Sequence, residues 1–330
     1  MSEPHIAVVI PCYRVAGQIL DVVRRVGPEV AAIYVVDDAC PEGSGRLVET
    51  EINDPRIRVI RHPDNRGVGV ATMTGMTAAL ADGADILVKL DGDGQMDPAL
   101  IPNLIDPIAR GQADYTKGNR FYAPEGLRGM PAARVIGNAA LSFLTKLSSG
   151  YWQLLDPTNG FIAIHAAVFA LLPREKIAQR FFFECDLLFR LNLLRANVRD
   201  LAMAASYAGE KSNLRVHRVV LPFSFYLLRN FLKRVVYSYF VRDFSVGSLY
   251  LTFGLPLFLF GVINGTFEWI AFAKAGTFAS AGTVMLAALP IIIGFQLLLS
   301  FLAYDVSNVP RDAIHMQLAR GTARSGAPNR

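Results

Sequence analysis

The sequence has few cysteines and none that are closely paired. Cys12, Cys40 and Cys185 are the three cysteines among 330 residues, and no two of them stand in a CxxC spacing. A zinc site or a disulfide framework needs several cysteines at short, regular spacings, so this pattern argues against both. The three thiols are therefore expected to be reduced and buried, as free cysteines usually are.

Charged residues are also scarce, and two long segments have none. Asp, Glu, Lys and Arg make up 18% of the chain and hydrophobic residues 52%. No charged residue occurs in 245–267 or in 283–304. Because about 20 apolar residues in a helix cross a hydrocarbon core of about 30 Å, we predict two transmembrane helices at about 246–270 and 283–304. The short connection between them predicts a hairpin within 245–306.

Basic residues flank the two predicted spans. Lys and Arg number 33 against 28 acidic residues, a net charge of +5. The excess lies beside the spans, so membrane lipids or phosphate ligands explain it better than nucleic acid. The flanking residues are Arg229, Lys233, Arg234 and Arg242 before the first span, and Arg311, Arg320, Arg324 and Arg330 after the second.

This charge pattern predicts a multi-pass protein of the inner (cytoplasmic) membrane. The positive-inside rule places both flanks, and therefore the domain at 1–218 and both termini, in the cytoplasm. Residues 219–244 have an apolar helical face with basic residues beside it, which is typical of a helix lying in the membrane interface. The polar tail, 307–330, is expected to be loosely ordered.

The first 218 residues alternate between short apolar runs and amphipathic stretches of helical length. This alternation predicts an α/β fold with a mostly parallel sheet, in which ligands bind beyond the carboxyl ends of the strands. Asp37 and Asp38 follow one predicted strand, and Asp91 and Asp93 follow another. The predicted strands are 6–10, 33–36, 57–60, 86–90 and 160–165, and the predicted helices are 17–26, 44–51, 68–82, 97–110, 131–147 and 184–196.

The segment "KLDGDGQMDP", residues 89–98, predicts a cation site. In an extended chain, side chains two residues apart face the same side, which would bring Asp91, Asp93 and Gln95 together. We interpret Gly92 and Gly94 as removing bulk near a ligand. Carboxylate and amide oxygens suit Mg²⁺ or Mn²⁺, which also bind substrate phosphates. Lys89, just before these acids, either neutralises them or contacts the substrate.

Seven segments occur in an order that is typical of one enzyme family. They are "VVIPCYR", "VVDDACPEGS", "HPDNRGVGVATMTG", "DGDGQMDP", "KGNR", "DPTNGF" and "FFFECD". With them the chain resembles the family 2 glycosyltransferases of GT-A fold, and within them the polyisoprenyl-phosphate glycosyltransferases. The resemblance implies a GT-A (Rossmann-like) catalytic domain followed by an interfacial helix and a membrane hairpin.

The resemblance also implies the substrates and the site. The donor would be a nucleotide sugar, the acceptor a polyprenyl phosphate, and the cofactor Mg²⁺ or Mn²⁺. Arg120 would support the phosphates or the sugar, and Arg134 and Asn138 would grip the lipid phosphate. The cation would bind Asp91, Asp93 and Gln95. The donor would be held by Pro11, Tyr13, Asp37, Asp38, Asp91, Lys117 and Arg215.

Two features leave alternatives open. The family's usual "PxYNE" is "PCYRV" here, so Arg14 and Val15 leave the base open between uridine and guanosine. The acids of "FFFECD", Glu184 and Asp186, are either a catalytic base or structural groups. An acceptor phosphate is already anionic and needs no base, whereas a hydroxyl acceptor in surface polysaccharide or lipopolysaccharide synthesis would need one. Direct attack by either acceptor predicts inversion at the anomeric carbon.

Other classes of protein and an oligomeric assembly are alternatives with separate sequence signals. "GVG" at 67–69 lacks the third glycine of a dinucleotide-binding fingerprint. A non-catalytic membrane scaffold would keep its cellular role after replacement of Asp91 and Asp93 by alanine. Gly261 and Gly265 form a small-residue pair spaced for close helix contact, which leads to the hypothesis of a homo-oligomer joined through the spans.

Overall fold

The computed structural model describes residues 4–121, 132–203 and 216–325. The chain divides into two units. The first comprises Met1–Phe231 and Pro310–Arg330, and the second comprises Leu232–Val309. The first unit therefore contains the predicted catalytic domain together with the C-terminal segment.

A mostly parallel sheet forms the centre of the first unit. Within the described residues it has seven strands in the order β3-β2-β1-β4-β6-β5-β7. Only β6 runs against its neighbours, β4 and β5. The carboxyl ends of β1, β2 and β4 consequently lie along one edge of the sheet. The strands are β1 (Ile6–Cys12), β2 (Ala32–Asp37), β3 (Ile57–Arg61), β4 (Ile86–Lys89), β5 (Tyr115–Asn119), β6 (Ile162–His165) and β7 (Val198–Ala202).

The predicted helices of the first unit are confirmed to within a few residues, while strands β5 and β7 were not predicted. A short turn, Pro98–Leu100, precedes α4, and Asp97 caps it by accepting from the Ala99 amide at 3.1 Å. The helices are α1 (Ile19–Arg24), α2 (Ser44–Glu51), α3 (Val68–Ala81), α4 (Ile101–Ala109), α5 (Ala132–Ser149), α6 (Ala166–Ala170), α7 (Phe183–Leu193), α8 (Val216–Val236), α9 (Val246–Ala275), α10 (Ala281–Ser307) and α11 (Ile314–Ser325).

The core lies on the central strands. Val8, Ile10, Val35 and Val88 are completely buried, as are their neighbours on β1, β2 and β4. Strands that are buried on both faces read as continuous apolar runs and not as alternating ones. This explains why the short runs in the sequence identified these strands correctly.

The second unit contains α9 and α10, two helices that are long and apolar enough to cross a membrane. They pack on each other through glycines. A Cβ atom on Gly261 would lie 2.7 Å from the backbone nitrogen of Ile291, and one on Gly265 would lie 3.1 Å from the Ala287 Cβ. Gly261 and Gly265 thus face the other helix of the same chain, and a homo-oligomer joined through the spans stays a hypothesis.

A buried ion pair links the ends of the second unit. The guanidinium of Arg234 donates to both oxygens of Asp305, at 2.7 and 2.9 Å, and the Tyr239 hydroxyl donates to the same carboxylate at 2.6 Å. A bidentate arginine–carboxylate pair has a fixed planar geometry. The residues preceding α9 are thereby fixed to the end of α10.

The C-terminal segment docks onto the first unit. Asp114, at the start of β5, is completely buried and accepts from the backbone nitrogens of Ile314 and His315, each at 2.9 Å. The His315 ring lies 2.7 Å from the same carboxylate and stacks on His165 with a centroid distance of 4.2 Å. The expectation of a loose tail is wrong at this point, because a buried carboxylate takes up the first free amides of α11.

Candidate active site

The loops after β1 and β2 border the candidate site at the edge of the sheet. Tyr13 follows β1 and is 42% exposed, and the Arg14 guanidinium lies 5.4 Å from its ring centre. Arg14 and Ala39 both have left-handed backbones, with φ of 58° and 54°. Such conformations are costly outside glycine and concentrate at functional sites. Tyr13 therefore offers a flat aromatic surface beside a basic group.

Asp37 and Asp38 lie at the end of β2, and both form hydrogen bonds with other residues of the chain. Asp37 accepts from the amides of Cys40 and Gly45, at 2.7 and 2.8 Å. Asp38 lies 2.7 Å from the His62 ring and accepts from the amides of Arg66 and Gly67, at 2.9 and 2.7 Å. Each carboxylate thus shapes the loops around the site, and contact with a nucleoside remains a prediction for both.

The thiols are free, and they differ in burial. Cys12 and Cys185 are buried as expected, whereas Cys40 is only half-buried. Partial burial acts to raise the pKa of Cys40, but hydrogen bonds from Ser44 and from the Arg14 amide outweigh it, so the pKa is lowered. Cys40 is therefore the most reactive candidate among the three thiols.

Three charged groups meet at the end of β4. The Lys89 ammonium lies 2.7 Å from Asp91 Oδ1 and 3.5 Å from Glu184 Oε1, a residue of α7. Burial acts to lower the pKa of Lys89, but the two acids outweigh it and the pKa is raised. Burial raises the pKa of Glu184, and Lys89 only partly opposes this. Asp91 remains partly open to solvent, with 28% of its side chain exposed.

The segment after β4 turns instead of continuing as an extended strand. β4 ends at Lys89, Gly94 has a φ of +76°, and Asp93 Oδ1 accepts from the Gln95 amide at 3.0 Å. The turn, and not two-residue alternation, therefore sets the directions of Asp93 and Gln95. The interpretation of Gly92 as removing bulk near a ligand is wrong, because a Cβ there would lie 2.9 Å from Ile19 in the core.

The donor set suits Mg²⁺ or Mn²⁺ bound together with a diphosphate. Asp91 and Asp93 supply carboxylate oxygens and Gln95 an amide oxygen, the hard ligands that these cations prefer. Gly160 keeps the space beside Asp91 open, since a Cβ there would lie 2.6 Å from Asp91 Oδ2. Among the described residues, no group of three or more His, Cys, Asp or Glu side chains is placed to hold a metal ion by itself. Water and substrate phosphates would complete the coordination.

Arg120 is held in place by Asp156, a residue that sequence reasoning missed. The Nε and Nη2 atoms of Arg120 donate to the two oxygens of Asp156 at 2.8 and 3.1 Å. Asp156 is completely buried, and Asn159 donates to it at 3.2 Å. The only available signal was its place in "DPTNGF". Lys117 is also completely buried, and burial lowers its pKa, so in this conformation its ammonium does not reach the surface of the site.

The two acids of α7 have different environments. Asp186 accepts from the Ala178 amide at 3.0 Å, from Arg190 Nε at 2.9 Å and from Asn230 of α8 at 3.0 Å. Its oxygens are therefore committed to holding the protein together. Glu184 instead faces Lys89 and Asp91. Of the two, only Glu184 lies beside the candidate cation site.

Three predicted site residues are not placed. Arg215 lies outside the described residues, and so do the side chains of Arg134 and Asn138, although both belong to α5. Several other predicted residues lie in or just after the carboxyl ends of strands that share one edge of the sheet. Pro11 and Asp37 are among the last residues of β1 and β2, and the residues that follow strands are Tyr13, Asp38, Asp91, Asp93 and Gln95.

The architecture is that of a GT-A glycosyltransferase. The fold resembles glucosyl-3-phosphoglycerate synthase from Mycobacterium tuberculosis, solved with Mn²⁺, uridine diphosphate and phosphoglyceric acid. The TM-score is 0.52 over 70% of this chain and 78% of that one, at 20% identity. The family model described as Glycosyl transferase family 2 matches residues 7–172, about half of the chain. The chain belongs to the family 2 glycosyltransferases.

Two similar proteins are named for transfer to polyprenyl phosphates. The UDP-N-acetylglucosamine–dolichyl-phosphate N-acetylglucosaminyltransferase of Methanococcus voltae is 28% identical over 68% of this chain and 95% of its own length. The polyprenol monophosphomannose synthase of Mycolicibacterium smegmatis is 30% identical over 56% of this chain and 70% of its own length. The chain is thus an enzyme of the glycosyltransferase class.

Proposed function

We propose that this enzyme moves a sugar from a nucleotide sugar to a polyprenyl phosphate at a membrane surface, with a divalent cation. The observation that carries the proposal is the presence, in one chain, of Asp91 and Asp93 at the end of β4 and of two helices long enough to cross a membrane. The acids suit a diphosphate donor, and the helices suit a lipid acceptor. The names of the two similar proteins support the same acceptor class.

Each end of the donor has its own group of residues in this proposal. Tyr13 and Pro11 line the nucleoside end together with the loops that Asp37 and Asp38 shape. Asp91, Asp93 and Gln95 hold Mg²⁺ or Mn²⁺, which when bound neutralises negative charge on the diphosphate. Arg120, oriented by Asp156, presents its guanidinium to the phosphates or the sugar. Arg134 and Asn138 bind the lipid phosphate.

The reaction needs no strong base if the acceptor is a phosphate. An anionic oxygen of the acceptor forms a bond to the anomeric carbon while the bond from that carbon to the nucleoside diphosphate breaks. Negative charge grows on the leaving diphosphate, where preorganised positive groups such as Arg120 stabilise it. Attack from the face opposite the leaving group inverts the anomeric configuration.

The proposal includes a location. The first unit and both ends of the hairpin lie on the cytoplasmic side of the inner membrane, in line with the basic residues that flank α9 and α10. The nucleotide-sugar pool and the phosphate end of the lipid would then meet on the same side.

Transfer of label from donor to lipid tests the proposal. The purified full chain in detergent is incubated with Mn²⁺ or Mg²⁺, a panel of radiolabelled UDP- and GDP-sugars, and polyprenyl phosphate. Label is expected in the organic phase with one donor, and chelation of the cation is expected to abolish it. Absence of lipid-linked label across the panel would contradict the proposal.

A hydroxyl acceptor is the second candidate, and Glu184 is the observation that favours it. Its buried carboxyl has a raised pKa and lies beside Asp91, as a general base would. Replacing Glu184 by glutamine separates the candidates. A loss of about 10²-fold or more in turnover, with donor binding retained, is expected for a missing base and favours the hydroxyl. A phosphate acceptor predicts a smaller loss.

A further inference from the structure

Lys89 is buried where a cation site would not be expected to contain a positive charge. Its side chain is 1% exposed and lies 2.7 Å from Asp91, one of the proposed cation ligands. A fixed ammonium repels a divalent cation bound nearby, so it weakens cation binding if charge alone matters. If Lys89 is compatible with cation binding, it must also have a favourable effect on that binding that offsets the repulsion.

The contacts of Lys89 indicate what this favourable effect is. Its ammonium has acceptors on three sides, namely Asp91 Oδ1 at 2.7 Å, the Gly160 carbonyl at 3.2 Å and Glu184 Oε1 at 3.5 Å. Its backbone is held in β4, where it pairs with Val9 of β1 and with Ile162 of β6. The ammonium thus fixes one oxygen of Asp91 relative to the rigid centre of the sheet.

Gly160 lies beside the same carboxylate and beside the Lys89 ammonium. A Cβ atom on Gly160 would lie 2.6 Å from Asp91 Oδ2 and would also collide with the Lys89 ammonium. Gly160 is not among the residues with positive φ, so its backbone does not require glycine. The need for glycine at this position is a need for space, which the Asp91–Lys89 pair occupies.

We propose that Lys89 and Gly160 position the Asp91 carboxylate so that it can bind the divalent cation that accompanies the nucleoside diphosphate. Lys89 acts through Asp91 and does not itself contact the substrate, and Glu184 balances its charge. This inference rests on the proposed function, because it assumes that Asp91 is a cation ligand.

Two variants disturb the arrangement in different ways. Lys89→Met removes the ammonium at similar length, and Gly160→Ala adds one methyl group without changing any charge. Gly17→Ala is the matched control, because a Cβ there meets nothing within 4 Å. Mn²⁺ affinity of the full chain in detergent is measured by electron paramagnetic resonance titration with UDP or GDP present. Thermal unfolding of each variant shows whether it is folded.

The sign of the change in Mn²⁺ affinity decides between the roles of Lys89. If Lys89 positions Asp91, both variants bind Mn²⁺ about 10- to 100-fold more weakly, as is usual when a partner of a metal ligand is lost. If Lys89 is only a neutralising charge, Lys89→Met binds Mn²⁺ more tightly than the wild type, which overturns the proposal. Wild-type affinity in Gly160→Ala overturns it as well.

The remaining outcomes are also decisive. If Lys89→Met does not fold, Gly160→Ala decides alone, and the double variant Lys89→Met with Glu184→Gln restores the charge balance as a second check. A wild-type chain that binds no Mn²⁺ with either nucleotide contradicts the proposed function itself. A wild type that binds Mn²⁺ while the folded variants bind it equally well contradicts only the positioning role.

Discussion

Arg120 illustrates how single residues of the site depend on partners far along the chain. The Arg120 side chain is 30% exposed, while that of Asp156, its partner, is buried. Two parallel hydrogen bonds fix both the position and the plane of the guanidinium. An arginine held in this way meets a phosphate without losing further side-chain entropy, since its orientation is already set.

Replacing Arg120 by lysine keeps the positive charge and removes the planar guanidinium that makes two parallel hydrogen bonds. We expect turnover to fall about 10²-fold, because a displacement of about 1 Å at a reacting group has this effect. We also expect a lower unfolding temperature, because the buried Asp156 loses one of its two hydrogen bonds from the guanidinium. Turnover is measured by label transfer to lipid at saturating donor. Arg199→Lys is the control, since Arg199 is exposed and donates to Gln112. Wild-type turnover in Arg120→Lys would show that the planar guanidinium has no role in catalysis.

At the scale of elements, α7 is held against α8 by polar and apolar contacts. The Phe182 ring, which precedes α7, lies 5.2 Å from Phe223 of α8. Asn230 of α8 donates to Asp186 of α7 at 3.0 Å. α7 also carries Glu184, so α8 supports the helix from which Glu184 reaches Lys89.

Asp186→Asn tests this contact. A single amide oxygen cannot replace two carboxylate oxygens that accept from three donors, of which the Asn230 amide is buried. A buried donor left without a partner costs about 1–3 kcal/mol. We therefore expect a lower free energy of unfolding, measured by urea titration of the full chain in detergent. Asp106→Asn is the control, because Asp106 forms only an exposed pair with Arg110. Loss of activity without loss of stability would indicate a chemical role for Asp186.

The elements show which parts of the fold were predictable. β1 to β4 and α2 were predicted because apolar runs and periodicity are local patterns. The Lys89–Glu184 and Arg120–Asp156 contacts were not, because sheet order brings together residues that no local pattern connects. That the acids after β4 act together at a cation site stays a prediction, and the turn at Gly94 replaces the two-residue alternation from which the sequence argued their directions.

At the scale of the whole chain, we expect the docking of α11 at Asp114 to depend on pH. Burial, followed by the charge of His315, lowers the pKa of His165 from 6.5 to about 4, and Asp114 and Asp85 oppose this. The unfolded chain binds a proton on this residue between pH 6.5 and 4 and the folded chain does not, so stability falls as the pH drops through this window.

His165→Asn removes this titration and keeps an acceptor for the Ala167 amide, which His165 Nδ1 now caps. Asparagine is a good helix N-cap. We expect the unfolding temperature of the wild type to fall more than that of the variant when the pH is lowered from 7.5 to 5. Equal losses, measured by thermal unfolding in the same buffer series, would show that other groups govern the response.

The chain leaves the first unit before α9 and returns to it with α11. We therefore expect the two ends of the hairpin to lie on one side of any membrane that α9 and α10 cross. This prediction is tested with single cysteines at Asp21, Arg311 and Phe278, in a chain where Cys40 is replaced by serine. Phe278 is completely exposed and lies between α9 and α10. An impermeant maleimide is expected to label Asp21→Cys and Arg311→Cys in inside-out vesicles and Phe278→Cys in right-side-out vesicles. Labelling of all three from one side would show that the hairpin does not span the membrane.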